Sequence, residues 1–145
     1  MLLGTYDGRV DSQGRLVIPQ RLRSAVEDGM TVAIGLDGCL DVYPAEAWER
    51  RVEQVRKLPE YDRDARTMKR AITGNAFPVT LDRQGRIALP THLRIYAGIT
   101  DEVRMVAADT YFEIWSLQKY NEQQSKAPDL ADVAERLGKM STNRG

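Results

Sequence analysis

Apolar and polar residues alternate in two short stretches of this chain, one near its start and one near its middle. The alternating apolar positions are Tyr6, Gly8 and Val10 in the first stretch, and Phe77, Val79 and Leu81 in the second. A period of two residues is typical of strands that turn one face towards a core. Pro78 has no backbone N–H to donate, so the second strand is predicted to lie at a sheet edge or a bulge.

The segments that follow these stretches also match each other. Residues 10–23 return as residues 81–94, so that Asp11 recurs as Asp82, 71 positions later. Asp, Gln, Gly, Arg, Pro, Leu and Arg keep their places, and apolar residues are exchanged only for other apolar residues. This internal repetition predicts two copies of one structural unit, which we expect to be related by a pseudo-two-fold axis.

Each copy predicts a strand, a turn, a second strand and a helix. Asp11 at the first position and Gly14 at the fourth are typical of a type I turn. Because glycine readily takes a positive φ, we expect a three-residue hairpin connection closed by a bulge. Residues 15–18 are the predicted return strand, and Pro19 suits the first turn of a helix. The second copy repeats these steps with Asp82, Gly85 and Pro90.

A second hairpin is predicted in each half, with helices after it. Asp37-Gly38 is a strong two-residue turn signal between residues 31–36 and 39–43. Asp109-Thr110 is a weaker signal between residues 102–108 and 111–115. Four further helices are predicted. The first begins at Pro44, and the second runs from Asp62 to Thr73 with Ala65, Met68 and Ile72 on one face. The third runs from an N-cap at Ser116 to about Ser125, and the fourth runs from Pro128 to about Met140 with Leu130, Val133 and Leu137 aligned.

These elements divide the chain into four segments. Residues 1–58 form the first repeat with its following helix, residues 59–74 a linker helix, and residues 75–125 the second repeat. Residues 126–145 form a C-terminal extension that is predicted to be partly helical and then disordered from Ser141 to Gly145.

The overall charge does not point to nucleic acid, but its distribution does. The 145 residues carry 21 basic and 21 acidic side chains. Residues 1–23 nevertheless hold four arginines against two aspartates, and residues 77–94 hold three arginines against one aspartate. Both repeats are therefore basic islands, which an oligomer would multiply.

Cysteine usage and hydropathy indicate the compartment. The single cysteine, Cys39, cannot form an intramolecular disulfide, which fits a reducing interior. No apolar run approaches the ~18–20 residues of a membrane span. We therefore expect a cytoplasmic protein with no membrane partner.

Several motifs resemble one family. They are the doubled Asp-x-x-Gly-Arg followed by an apolar strand, Pro and Leu-Arg, the opening residues 1–6, residues 93–99, and Phe112-Glu113-Ile114-Trp115. Together they resemble the MraZ family, the tandem form of AbrB-type DNA-binding proteins. The resemblance implies an α+β fold, in which two pseudo-symmetric AbrB-like swapped-hairpin β units form a compact, β-barrel-like core with peripheral helices. It also implies a nucleoid-associated transcriptional regulator. Such a regulator would bind double-stranded DNA at short direct repeats of the division and cell-wall gene cluster, as a homo-oligomeric ring of the octamer or dodecamer class.

The arginines of the repeats are the candidate DNA contacts. A planar guanidinium suits bidentate contact with phosphate or a guanine edge, which a lysine does not match. We expect Arg15 and Arg86 to be central, with the flanking contacts made by Arg9, Arg23, Arg83 and Arg94. An ion pair between each central arginine and the aspartate four residues earlier would instead be structural, and both roles can coexist. Turn architecture is the role expected of Asp11, Gly14, Asp82 and Gly85.

Two other function classes were weighed against this one. Two symmetry-related aspartates suggest an aspartic-protease dyad, but an arginine beside each would keep both ionised. No phosphate-binding loop, dinucleotide motif or metal-ligand spacing occurs, so no cofactor, metal or small-molecule substrate is expected. His92 is expected to be exposed rather than catalytic, and Cys39 to lie in or near the core. An antitoxin-like interaction module is the other alternative, with residues 129–140 gripping a partner or covering a subunit interface.

Overall fold

The computed structural model of the chain describes residues 1–144. Within them, eight strands and six helices alternate in an order that repeats once. The first half contains β1 (Thr5–Arg9), β2 (Arg15–Val17), α1 (Gln20–Val26), β3 (Met30–Ile34), β4 (Leu40–Pro44) and α2 (Ala45–Arg56). The second half contains β5 (Phe77–Val79), β6 (Arg86–Ala88), α4 (Thr91–Ala97), β7 (Glu102–Ala107), β8 (Phe112–Ser116) and α5 (Leu117–Lys126). Helix α3 (Arg63–Gly74) links the halves, and α6 (Leu130–Arg144) follows them.

The strands of the two halves interleave. Six of them form one sheet in the order β1-β7-β8-β4-β3-β5, and β2 pairs with β6 in a separate two-stranded ribbon. The first strand of each half thus pairs with the other half, β1 with β7 and β5 with β3, always antiparallel. Among the described residues, β1 and β5 remain the edges of the large sheet, so the closed barrel suggested by the resemblance is not observed. Pro78 lies in edge strand β5, as its missing N–H predicted.

The predicted three-residue turn is confirmed, but its two strands do not form a hairpin ladder. The N–H of Asp11 donates to the carbonyl of Arg15 (2.9 Å), and Gly14 has φ +78°. Beyond a single bridge between Val10 and Leu16, β1 and β2 separate and pair with strands of the other half. A unit of about 70 residues has only a marginal core by itself, and this exchange lets the two units share one.

That shared core lies beneath the ribbon. Its centre is formed by matched residues of the two repeats that are almost completely buried, namely Leu16 and Ile87 from the strands and Leu22 and Leu93 from α1 and α4. Phe112 and Ile114 of β8 complete it from the large sheet. None of the described helices is both long and apolar enough to cross a membrane.

Several local predictions need correction. The Asp37-Gly38 turn is a three-residue loop, because the N–H of Gly35 donates to the carbonyl of Cys39 (2.8 Å) and Gly38 takes φ +87°. Met68 does not share the buried face of α3, since it is 39% exposed while Ala65 and Ile72 are buried.

The C-terminal extension is more regular than expected. Helix α6 continues as far as Arg144, whereas disorder is predicted from Ser141 onward, and Gly145 lies outside the described residues. The Asp129 carboxylate caps the start of this helix by accepting from the N–H of Ala131 (2.8 Å). A stabilised first turn favours propagation of a helix, which explains its greater length.

Candidate nucleic-acid interface

The β2–β6 ribbon places the two central arginines on one surface. Leu16 lies opposite Ile87, and both side chains are buried. Because side chains alternate along a strand, the neighbouring residues point away from the core. Arg15 and Arg86 therefore share the outer face. They are diagonal neighbours, whose Cα atoms are typically separated by roughly 7–8 Å. Their side chains are 34% and 24% exposed.

An aspartate organises the turn beside each arginine. One oxygen of Asp11, Oδ1, accepts from the backbone N–H groups of Gln13 and Arg15, both at 2.9 Å. Asp82 does the same with Gln84 and Arg86, at 2.8 and 2.9 Å. The hydrogen bonds from the arginine backbone N–H groups are the main reason why the pKa of each carboxyl is lowered. An aspartic-protease dyad needs two carboxyl groups that share one proton, whereas here the pKa of each carboxyl is lowered.

The second carboxylate oxygen of each aspartate holds the arginine side chain. Arg15 Nε lies 3.3 Å from Asp11 Oδ2, and Arg86 Nε lies 2.8 Å from Asp82 Oδ2. Arg86 Nη1 also lies 3.9 Å from Asp11 Oδ2, so the two turns are in electrostatic contact. Within residues 1–144, the terminal Nη nitrogens of both arginines donate no hydrogen bond to the protein. The ion pair and an external contact therefore use different edges of the same guanidinium.

Arg23 and Arg94, which are predicted flanking contacts of the first and second repeat, each lie against the turn of the opposite repeat. Arg23 Nε donates to the carbonyl of Ile18 (2.6 Å), and Arg94 Nε donates to that of Leu89 (3.1 Å). Each guanidinium then covers the turn glycine of the opposite repeat. A Cβ added to Gly14 would lie 2.7 Å from Arg94 Cζ, and one added to Gly85 would clash with Arg23. These two arginines therefore connect the repeats, and sequence reasoning missed this role.

The backbone makes the same reciprocal connection. The N–H of Ile18 donates to the carbonyl of Gly85, and the N–H of Leu89 donates to that of Gly14, both at 2.9 Å. Each turn glycine thus combines three features: a positive φ, no space for a Cβ, and a carbonyl that accepts a hydrogen bond from the other repeat. The joint recurrence of Gly and Leu-Arg in both copies was the only sequence signal for this contact.

Arg9 and Arg83 are both exposed but differ in charge balance. Arg9 forms ion pairs with Asp101 (2.9 Å) and Glu102 (2.7 Å) on the adjacent strand end. Arg83 lies at the tip of the second turn, where the first turn has Ser12. No ion pair within 4.0 Å involves Arg83 among the residues that the structure describes. The second turn therefore carries one more uncompensated charge than the first.

A second polar cluster lies away from the ribbon, on the face of the large sheet beside α2. Asp41 is only 8% exposed and lies directly opposite Glu113 in the β4–β8 pair. Burial raises the pKa of Asp41 to about 6, although the Tyr43 hydroxyl donates to its Oδ2 (3.0 Å). Burial also raises the pKa of the Cys39 thiol, and the predicted core position of this residue is confirmed.

A cavity adjoins this cluster, and its lining includes Arg51, whose buried Nε has no hydrogen-bond partner among the described residues. The adjoining cavity measures about 380 Å³ and is lined by side chains of α2 as well as by Asp41 and Glu113. The Trp115 indole donates to Glu113 (3.0 Å), so both carboxylates already accept hydrogen bonds. The one sequence signal for this cluster was Asp41, an aspartate in the otherwise apolar strand β4. The histidine prediction is confirmed, because His92 is exposed and packs edge-on against Phe77.

Comparisons with known proteins agree across nearly the whole chain. A family model described as "MraZ protein, putative antitoxin-like" matches twice, over residues 1–71 and 72–140. The chain is 39% identical over 138 residues to the transcriptional regulator MraZ of Heliobacterium modesticaldum, covering 94% of this chain and 96% of that protein. It is 38% identical over 141 residues to the protein of the same name from Thermomicrobium roseum, and 35% identical over 140 residues to that from Clostridium acetobutylicum, covering 97% of this chain and 99% of the relative in both cases.

Proposed function

The chain belongs to the MraZ family, and we propose that it regulates transcription by binding double-stranded DNA through the outer face of its β2–β6 ribbon. The observation that carries this proposal is the arrangement of Arg15 and Arg86. Each is held at Nε by an aspartate, its side chain is partly exposed, and its Nη nitrogens donate no hydrogen bond to the described residues. Because the side chain is already held in place, binding loses less conformational entropy.

The shape of the ribbon suits a major groove. A groove about 12 Å wide admits a two-stranded ribbon, and an arginine that enters it can contact O6 and N7 of guanine. Arg83 would add a phosphate contact from the tip of the second turn. Arg9 would contribute only after leaving Asp101 and Glu102, whereas Arg23 and Arg94 would act through the position of the turns.

The proposal includes the architecture and assembly implied by the family. Each repeat would be an AbrB-like swapped-hairpin unit, supported by the reciprocal pairing of β2 with β6. Several chains would form a ring of the octamer or dodecamer class and bind short direct repeats of the division and cell-wall gene cluster. The exposed apolar side chains of α6, Leu130, Leu137 and Met140, would cover a subunit interface. Linked ribbons would combine weak contacts through effective concentration, which reconciles tight binding with a net charge of zero.

Binding should be measured first on DNA that the protein itself selects. Fragmented genomic DNA is captured with the intact protein and sequenced, and the recovered duplexes are used in fluorescence anisotropy. Arg15→Ala and Arg86→Ala should each weaken binding by about 10–100-fold, since a bidentate contact contributes about 1–3 kcal/mol. Arg56→Ala is the matched control, because Arg56 is an exposed, ion-paired arginine on α2, outside the ribbon.

Salt dependence provides a second measurement. The logarithm of the affinity should fall linearly with the logarithm of salt concentration, with a slope of about −0.9 per neutralised phosphate. A complex insensitive to salt, or folded arginine variants that bind like the wild type, would refute the ribbon as the interface. In that case the antitoxin-like module becomes the better account, because the exposed apolar face of α6 offers a protein-binding surface. Under that alternative, removal of residues 129–145 would abolish binding of the protein partner. The affinity of each subunit for DNA would stay unchanged.

A further inference from the structure

One residue on the outer face of the ribbon is apolar and well exposed. Val17 is 49% exposed, lies directly opposite Arg86, and follows Arg15 by two positions on the same strand face. Val17 is therefore a neighbour of both arginines proposed to contact DNA, of Arg15 along the strand and of Arg86 across the ribbon. In a major groove, the C5-methyl group of thymine is the apolar feature that such a side chain can contact.

The equivalent position in the second repeat is chemically different. Ala88 lies opposite Arg15, as Val17 lies opposite Arg86, but its side chain is a single methyl group. The pseudo-two-fold axis of the ribbon is thus broken in its apolar contacts. The turn tips also break this symmetry, because the first turn has Ser12 where the second has Arg83. A ribbon with different ends reads a base sequence in one direction only.

The carboxylates near Val17 form ion pairs with arginines of β1 and β7. Val17 borders a groove that also contains Asp7 and Glu102. Asp7 forms an ion pair with Arg104 (2.7 Å), and Glu102 forms one with Arg9 (2.7 Å). Asp7 therefore has an arginine of its own, whereas Glu102 shares Arg9 with Asp101.

We propose that Val17 is a specificity-determining residue that contacts the methyl group of a thymine beside the bases bound by the ribbon arginines, and that its replacement by Ala88 in the second repeat fixes the direction in which the protein lies on DNA. This inference rests on the proposed function and adds the identity of one base and the polarity of binding. Neither follows from Arg15 and Arg86, which occupy matching positions in the two repeats.

The test uses duplexes selected from a pool of random sequences by the intact wild-type protein. In the selected duplex, each thymine is replaced in turn by uracil, which lacks only the methyl group. One replacement should weaken wild-type binding about fourfold, since one buried methyl group contributes about that factor. The Val17→Ala variant should bind the thymine and uracil duplexes equally, whereas Val17→Thr, which keeps one γ-methyl group, should retain part of the difference.

Exchange of the two residues tests the direction. The double variant Val17→Ala with Ala88→Val should become sensitive to a methyl group at the opposite end of the binding site. Urea unfolding of each variant confirms that the exposed substitutions leave the fold intact.

The outcomes separate this inference from the function on which it rests. If the wild type selects no DNA, the proposed function fails. If it selects DNA but binds every uracil duplex as tightly as the thymine duplex, the function stands and the inference is wrong. Methyl sensitivity that persists in Val17→Ala, or that stays in place in the double variant, overturns it as well.

Discussion

Replacement of Asp41 by asparagine should stabilise the protein at neutral pH. Asp41 is buried opposite Glu113, and burial raises its pKa from 3.8 to about 6. A raised pKa means that the folded protein binds the proton more tightly than the unfolded chain. This carboxyl therefore stabilises the fold in its protonated form at low pH, and its contribution falls as pH rises through the interval between the two pKa values.

The magnitude follows from the size of that interval. One pKa unit corresponds to about 1.36 kcal/mol, so ionisation of Asp41 costs the folded state about 3 kcal/mol once the pH is well above 6. About half of this loss falls between roughly pH 5 and pH 8. Asparagine has nearly the same shape, and its amide oxygen can still accept from the Tyr43 hydroxyl, but it never ionises.

Urea unfolding of the wild type and Asp41→Asn, at one protein concentration and several pH values, measures the effect. The difference in the free energy of unfolding should grow in favour of the variant by about 1–2 kcal/mol between about pH 5 and pH 8. Asp37→Asn is the control, because Asp37 is exposed and lies on the loop before β4. A difference that stays constant with pH would refute the argument that burial governs this carboxyl.

Three further predictions concern the repeats. Gly85→Ala should destabilise the fold by at least about 1–2 kcal/mol in thermal unfolding, because Gly85 has a positive φ and the Arg23 side chain lies against it. Gly74→Ala is the control, since the space around Gly74 is open, and it should not destabilise the fold. Leu16→Ala should cost about 2–5 kcal/mol in urea unfolding, against little for the exposed Leu36→Ala. Because the pKa of Asp82 is lowered, its stabilising effect is present above its unfolded pKa and is lost as pH falls through the folded value. Asp82→Asn should therefore destabilise the protein at neutral pH and lose that effect in acid, as followed by circular dichroism.

The repeat itself could be predicted because its signals are local. A turn aspartate, a glycine and a following proline specify backbone geometry within a few residues, and the structure has all of these elements twice. The wrong local predictions arise where distant contacts decide. Met68 has the spacing of a buried residue on α3, but Ala65 and Ile72 are the residues of that helix that the rest of the fold buries.

Strand partners could not be predicted in the same way. The pattern at Arg15–Val17 is the same whether this strand pairs with β1 in a hairpin or with β6 of the other repeat. Pairing with β6 is preferred because it joins Leu16 to Ile87 and closes one core over both halves. The buried Asp41–Glu113 pair depends equally on strand order, since the two residues are far apart in the chain and meet only because β4 pairs with β8.

The four matched arginines show how one repeated motif supports two tasks. Arg15 and Arg86 lie on the ribbon, where an aspartate holds the Nε of each and the Nη nitrogens donate no hydrogen bond to the described residues. Arg23 and Arg94 cover the turns of the opposite repeat, so the position of each aspartate depends on a side chain from the other half. The outer face is therefore formed only when both repeats are folded together. Separated repeats would lose this arrangement together with the strand pairs β1–β7, β2–β6 and β3–β5, because each of these pairs joins one half to the other.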